Sequence, residues 1–239
     1  MPAKKEEQKS EIKEIITFKN VSKKYGQDDF VLDGIDLTVD SGEFLFLIGT
    51  SGAGKTTLMR HIVREEVPTS GEITIDGQDI SKLKNREVPF LRRKIGFIYQ
   101  DFKLLESKNA FENVALSLYV AGKKQDEIED IVMNLINMVG LKGKEKKIPA
   151  ALSGGEKQRL AIARALAHEP KILLADEPTG NLDSSSTWIV VDLIKKINDW
   201  GTTIIFGTHD QDVVNTLRKR VVHIEKGKII RDEKGGTYA

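Results

Sequence analysis

Residues 49–57 read GTSGAGKTT, a glycine-rich run closed by a lysine and two threonines, and that grouping is suited to holding phosphate. Positions 49–56 fit G-x-x-x-x-G-K-[ST] at every fixed place. Gly49, Gly52 and Gly54 allow backbone conformations that other residues avoid and let the chain come close to a ligand. The N–H groups along Thr50, Ser51 and Ala53 then point inward as an anion nest at a helix start, whose partial positive charge favours phosphate. Lys55 is placed to reach the β- and γ-phosphates, and the Thr56 hydroxyl to join a Mg²⁺ shell, with Thr57 just behind. A second chemical grouping closes KILLADEP (171–178). There an apolar run ends in two carboxylates: Asp176 to hold the Mg²⁺ shell, and Glu177 to polarise an attacking water as general base. A third is LSGGE at 152–156, where Ser153, Gly154 and Gly155 open a helix. Hydroxyl, bare backbone and helix dipole together make another anion site.

These groups need a scaffold, and the patterning supplies one. Residues 15–40 alternate apolar and polar side chains, as half-exposed antiparallel strands do. EFLFLIG (43–49) is apolar almost throughout, the pattern of a strand buried on both faces, and TTLMRHIV after the glycine run reads as helix. GEITIDGQDI is a hairpin turned at Asp76-Gly77. Two helices follow in 110–139, separated by Gly122-Lys123-Lys124, and a third begins near Ser153. KILLAD, TTIIFGT and VVHIEKGKII read as three strands, with a helix in WIVVDLIKKIN. Strands alternating with helices predict an α/β fold: a mostly parallel sheet with flanking helices, an N-terminal antiparallel β-subdomain, and a helical subdomain inserted at about 101–165. Residues 1–14 read as a charged, solvated tail, and 15–239 as the folded domain.

Composition narrows the function classes. Thirty-seven Lys+Arg against 36 Asp+Glu leave a formal charge of +1, which argues against a dedicated nucleic-acid binder. With no cysteine, disulfides, thiolate metal sites and a cysteine nucleophile are excluded. No apolar run approaches the ~20 residues of a membrane span, and the N-terminus lacks a signal peptide's apolar core. A soluble, cytoplasmic protein is expected, with any membrane role passing through a partner.

The segment LSGGEKQRLAIARAL (152–166) resembles the signature sequence of the ABC ATPases, a family of phosphate-loop NTPases. The resemblance runs from about residue 15 to 232. It implies a head-to-tail homodimer in which Ser153, Gly154, Gly155 and Glu156 of one copy meet the γ-phosphate of ATP held on the other copy's loop. It also implies roles for residues met in the family's order: Tyr25 stacking on adenine, and Gln100 touching Mg²⁺ and the attacking water. Asp183, in Asn181-Leu182-Asp183, would signal across the dimer, and His209 would contact the γ-phosphate and position Glu177. His61, His168 and His223 match no motif.

Within the family, TGNLD (179–183) points to the lipoprotein-release, macrolide-efflux and cell-division ATPases. REEVPTSG (64–71), DFKLL (101–105) and the ending LRKRVVHIEKGKIIRDEKGGTY are more similar to the cell-division members. That resemblance implies an integral membrane subunit as partner, a place at the inner face of the membrane, and control of peptidoglycan hydrolases. A soluble ABC protein acting on DNA or ribosomes is the reading from another class; such proteins carry two modules or coiled-coil insertions. Phe102, Leu104 and Leu105 are candidates for a groove receiving a partner helix. The basic runs 91–94 and 217–220 are candidates for a lipid-facing or a solvated surface.

Overall fold

A computed structural model describes residues 13–26 and 30–238. The tail expected at 1–14 lies almost wholly outside them; Glu14 already opens the first strand.

Two sheets enclose the phosphate-loop helix. The first is antiparallel, in the order β2-β1-β4-β5, from β1 (Glu14–Lys24), β2 (Phe30–Asp40), β4 (Ser70–Ile75) and β5 (Gln78–Asp79). Its tight turn is Asp76-Gly77 with φ of 49° and 79°, positive at both central residues as a type I′ hairpin requires. The second sheet runs β10-β9-β3-β8-β7-β6. Strands β3 (Phe44–Ile48), β6 (Ile95–Ile98), β7 (Ile172–Asp176), β8 (Thr203–Gly207) and β9 (Arg220–Glu225) are parallel, and β10 (Lys228–Glu233) closes the edge antiparallel.

Burial on both faces explains the continuous apolar runs. In β3, Leu45 and Leu47 face a core shared with the first sheet and with Leu58, Met59 and Ile62 of α1 (Lys55–Ile62). Phe44, Phe46 and Ile48 face the opposite core, under α3 (Ala110–Val120), α4 (Gln125–Met138), α5 (Gly154–Ala165) and α6 (Ser184–Asp199). Phe46 and Phe206 meet edge to face there, ring centres 5.4 Å apart, a geometry that adds to simple burial.

The structure departs from the sequence reading in two respects. VVHIEKGKII is a hairpin rather than one strand: Lys226 and Gly227 both take positive φ, and β9 and β10 pair antiparallel across them. Three short elements escape a periodicity reading: α2 (Val88–Arg93), β6, and α7 (Gln211–Leu217). α2 and α7 are shorter than two helical turns, and the four residues of β6 are buried almost throughout rather than alternating, so no repeat develops. The basic runs are also tied into the fold. The Arg92 Nε donates to the Val63 carbonyl at 2.9 Å. Arg220 pairs with Asp232 at 2.6 Å and with Glu43 at 3.0 Å.

Candidate active site

The phosphate loop leaves the C-terminal end of β3, and Asp176 and Glu177 leave the C-terminal end of β7. Between them lies β8, which pairs with both and leads to His209. Parallel register therefore delivers all three groups to one edge of the sheet, where open α/β sheets bind ligands. Thr50 to Thr57, Gln100, Glu177 and His209 line a single cavity of about 590 Å³ there.

The loop glycines serve different ends. Gly52 has φ +79° with open space around its Cα, so its task is the left-handed bend beside the cavity. Gly49 is pressed under β9 instead, and a side chain there would clash with the Ile224 carbonyl oxygen. Gly49 thus supports the loop from below, while Thr50 through Thr57 form the lining.

Charges in the cavity are mutually engaged. Lys55 Nζ donates to the Gly49 carbonyl at 2.7 Å and lies 3.4 Å from Glu177 Oε1. The other Glu177 oxygen is 2.7 Å from His209 Nδ1. Glu177 has φ +49°, a strained conformation for a side chain of its size, and its N–H donates to the Gly207 carbonyl. Beside it Asp176 is buried, and its Oδ1 has no hydrogen-bond partner. Burial pushes the Asp176 carboxyl above the usual aspartate range, opposed by a hydrogen bond from Thr56. A buried, unsatisfied carboxylate oxygen next to a hydroxyl fits a hard cation. No cluster of three or more His, Asp or Glu side chains that could hold a metal occurs among the described residues. A cation here would therefore lean on substrate phosphates, as Mg²⁺ commonly does.

The remaining predicted residues sit apart from this cavity. Ser153 caps α5 in a reciprocal box with Glu156: its hydroxyl accepts from the Glu156 N–H at 3.3 Å, and Glu156 accepts from the Ser153 N–H at 3.0 Å. Glu156 also pairs with Lys144, so its carboxylate is committed to the cap. Gly155 is small because α6 starts against it; an added Cβ would lie 2.7 Å from Ser186 Oγ. Asp183 caps α6, accepting from the Ser186 N–H and the Ser185 and Ser186 hydroxyls. These bonds hold its carboxyl far below the usual range. Tyr25 is half exposed, with Lys23 Nζ 4.9 Å from its ring centre, and does not line the phosphate cavity.

Three residues were missed from sequence. Val31 and Tyr238 line the cavity, brought there by the first sheet and by the segment after β10. Arg164, in α5, donates to the carbonyls of Phe102 (2.7 Å) and Lys103. It lies inside the signature segment, but only tertiary contact reveals what it holds.

Comparison with known proteins gives the chain its family. The profile of the ABC transporter family matches residues 32–180. The chain is 46% identical over 224 residues to the cell division ATP-binding protein FtsE of Bacillus subtilis, covering 94% of this chain and 98% of that one. It is 47% identical over 218 residues to the methionine import ATP-binding protein MetN 1 of Rhodopseudomonas palustris, covering 91% of this chain but 58% of that one. Its fold matches a dimeric, post-hydrolysis ATP-binding cassette bound to ADP and Pi, with TM-score 0.85 and 35% identity over 93% of this chain and 99% of that one. The chain therefore belongs to the ABC transporter family, as one of its ATP-hydrolysing subunits.

Proposed function

We propose that this chain is the ATPase of an FtsEX-type complex, in which two copies sandwich ATP and drive an FtsX-like integral membrane subunit to regulate peptidoglycan hydrolysis during cell division. The observation that carries this reading is the two-way match to FtsE, which spans nearly all of both chains. MetN 1, by contrast, is matched over little more than half its length. Among the described residues no helix is long and apolar enough to cross a membrane. A place at the inner membrane face would therefore come through the partner.

The site residues act as follows. The loop N–H groups receive the phosphates. Lys55 turns from the Gly49 carbonyl and Glu177 toward the β- and γ-phosphates, which frees the Glu177 carboxylate. Glu177, held at one oxygen by His209, accepts a proton from water as the water oxygen bonds to the γ-phosphorus and the bond to ADP breaks. Thr56, Asp176 and Gln100 are the side chains that would hold Mg²⁺, whose charge would offset that of the phosphates. Ser153 and Gly154 of a second copy close the site, and Tyr25 stacks on the base. Motion then passes through the segment after Gln100. Leu104 there packs against the core, while Phe102 and Leu105 stay partly exposed for the partner.

Replacing Glu177 by Gln tests both levels. ATP binding should persist, turnover should vanish and a dimer should accumulate; cells carrying only this variant should form filaments or chains. Normal turnover would remove Glu177 as base. Normal division with impaired lipoprotein sorting would replace the cell-division assignment.

A further inference from the structure

The phosphate cavity has an aromatic wall that no motif announces. Tyr238 lines it together with the phosphate loop, Gln100, Glu177 and His209. Tyr238 reaches this place because the segment after β10 is tied down along its length. The Gly236 N–H donates to the Lys219 carbonyl at 3.1 Å. The Tyr238 N–H donates to Asn215 Oδ1 of α7 at 2.9 Å, and the Arg231 guanidinium donates to the carbonyls of Thr237 (2.6 Å) and Tyr238 (3.2 Å). Tyr238 also packs against the apolar cluster that contains Val213 and Val214 of the same helix. α7 begins two residues after His209, so the helix that anchors Tyr238 also follows directly from His209, and both residues line the same cavity.

We propose that Tyr238 is a nucleotide-contacting residue whose hydroxyl donates a hydrogen bond to the terminal phosphate of ATP, so that the site distinguishes ATP from ADP. A phenol supplies one donor on a rigid, two-torsion arm, and a donor facing phosphate gains a charge-assisted bond. The residues that line the cavity with Tyr238 include the groups assigned above to the phosphates, so the inference rests on that reading of the cavity.

The test is Tyr238→Phe, which keeps the ring packing and every backbone anchor while removing the hydroxyl. Affinities for ATP and ADP are measured by calorimetry in a Glu177→Gln background that stops turnover. Loss of one charged hydrogen bond should weaken ATP roughly tenfold and leave ADP within about twofold. Equal weakening of both nucleotides, or none, would overturn the proposal. Lys55→Ala measured alongside separates the two levels. If it binds ATP as the parent does, the phosphate-site reading fails. If it loses ATP while Tyr238→Phe does not, only the role of Tyr238 fails.

Discussion

Asp176 faces opposite demands with and without a cation. Its Oδ1 is buried without a partner, and desolvation raises its pKa above that of the unfolded chain. Between the unfolded and folded values, the folded state keeps a proton that the unfolded state has released. Stability therefore falls as pH rises through that window, and the cost stays in place above it. Asp176→Asn should then stabilise the nucleotide-free protein. An unsatisfied buried group costs about 1–3 kcal/mol, so the melting temperature should rise by roughly 2–6 °C near neutral pH. The gain should shrink as pH falls through the raised folded-state pKa, where the parent carboxyl takes up its proton. Mg²⁺-dependent stabilisation by ATP should be lost in the same variant. Scanning calorimetry checks both, and a lower melting temperature at neutral pH would remove the idea of a carboxylate held ready for a cation. Glu177, at φ +49°, is the companion case of strain concentrated where the chemistry occurs.

One helix connects the two working ends of the chain. α5 begins at the Ser153 cap and carries Arg164 in its last turn. There the guanidinium grips the carbonyls of Phe102 and Lys103, two consecutive side-chain-bearing residues with φ of 60° and 50°. Such a turn persists only where surrounding structure holds it. The clamp sits just after Gln100, so displacement of the Ser153 end by a second copy's nucleotide would pull on the turn proposed to face the membrane partner. Arg164→Ala should cost about 2–3 kcal/mol by removing charged hydrogen bonds to the turn. Hydrogen exchange at residues 101–105 should rise sharply while ATP affinity is retained. Arg164→Lys should recover only part of the protection, because an ammonium cannot reproduce the planar fork. Unchanged exchange in the alanine variant would mean that other contacts hold the turn.

At the scale of the molecule, the loop cavity and the signature segment of one protomer do not meet. The signature residues Ser153 to Glu156 are absent from the lining of the phosphate cavity in the same chain. In the proposed head-to-tail pair, each copy would supply the missing half of the other's site. This geometry allows complementation between two inactive variants. Lys55→Ala spoils the loop and leaves the signature intact; Ser153→Ala does the reverse. In an equal mixture half of the dimers are mixed, and each of those holds one complete site of two. ATPase activity should therefore return to roughly a quarter of the parental value for independent sites in a symmetric pair. Activity no greater than the sum of the separate variants would exclude shared sites.

What the local sequence encodes and what it leaves to the fold follows from the range of the forces involved. Phosphate binding was legible because the loop, its lysine and its flanking strand are contiguous, so local backbone chemistry carries the signal. β3, β7 and β8 were legible because burial on both faces leaves an unbroken apolar run. Asp176, Glu177 and His209 were identifiable by type and order, but their convergence depends on β8 lying between β3 and β7, a register that no local pattern encodes. Val31, Tyr238 and the grip of Arg164 were invisible for the same reason: each acts on residues distant in sequence, through contacts that exist only once the sheets have closed around α1. The capping of Asp183 and Glu156 shows the reverse. Both lie in family motifs, yet their carboxylates are taken up by neighbouring hydroxyl, ammonium and N–H groups, and that allocation is settled by packing.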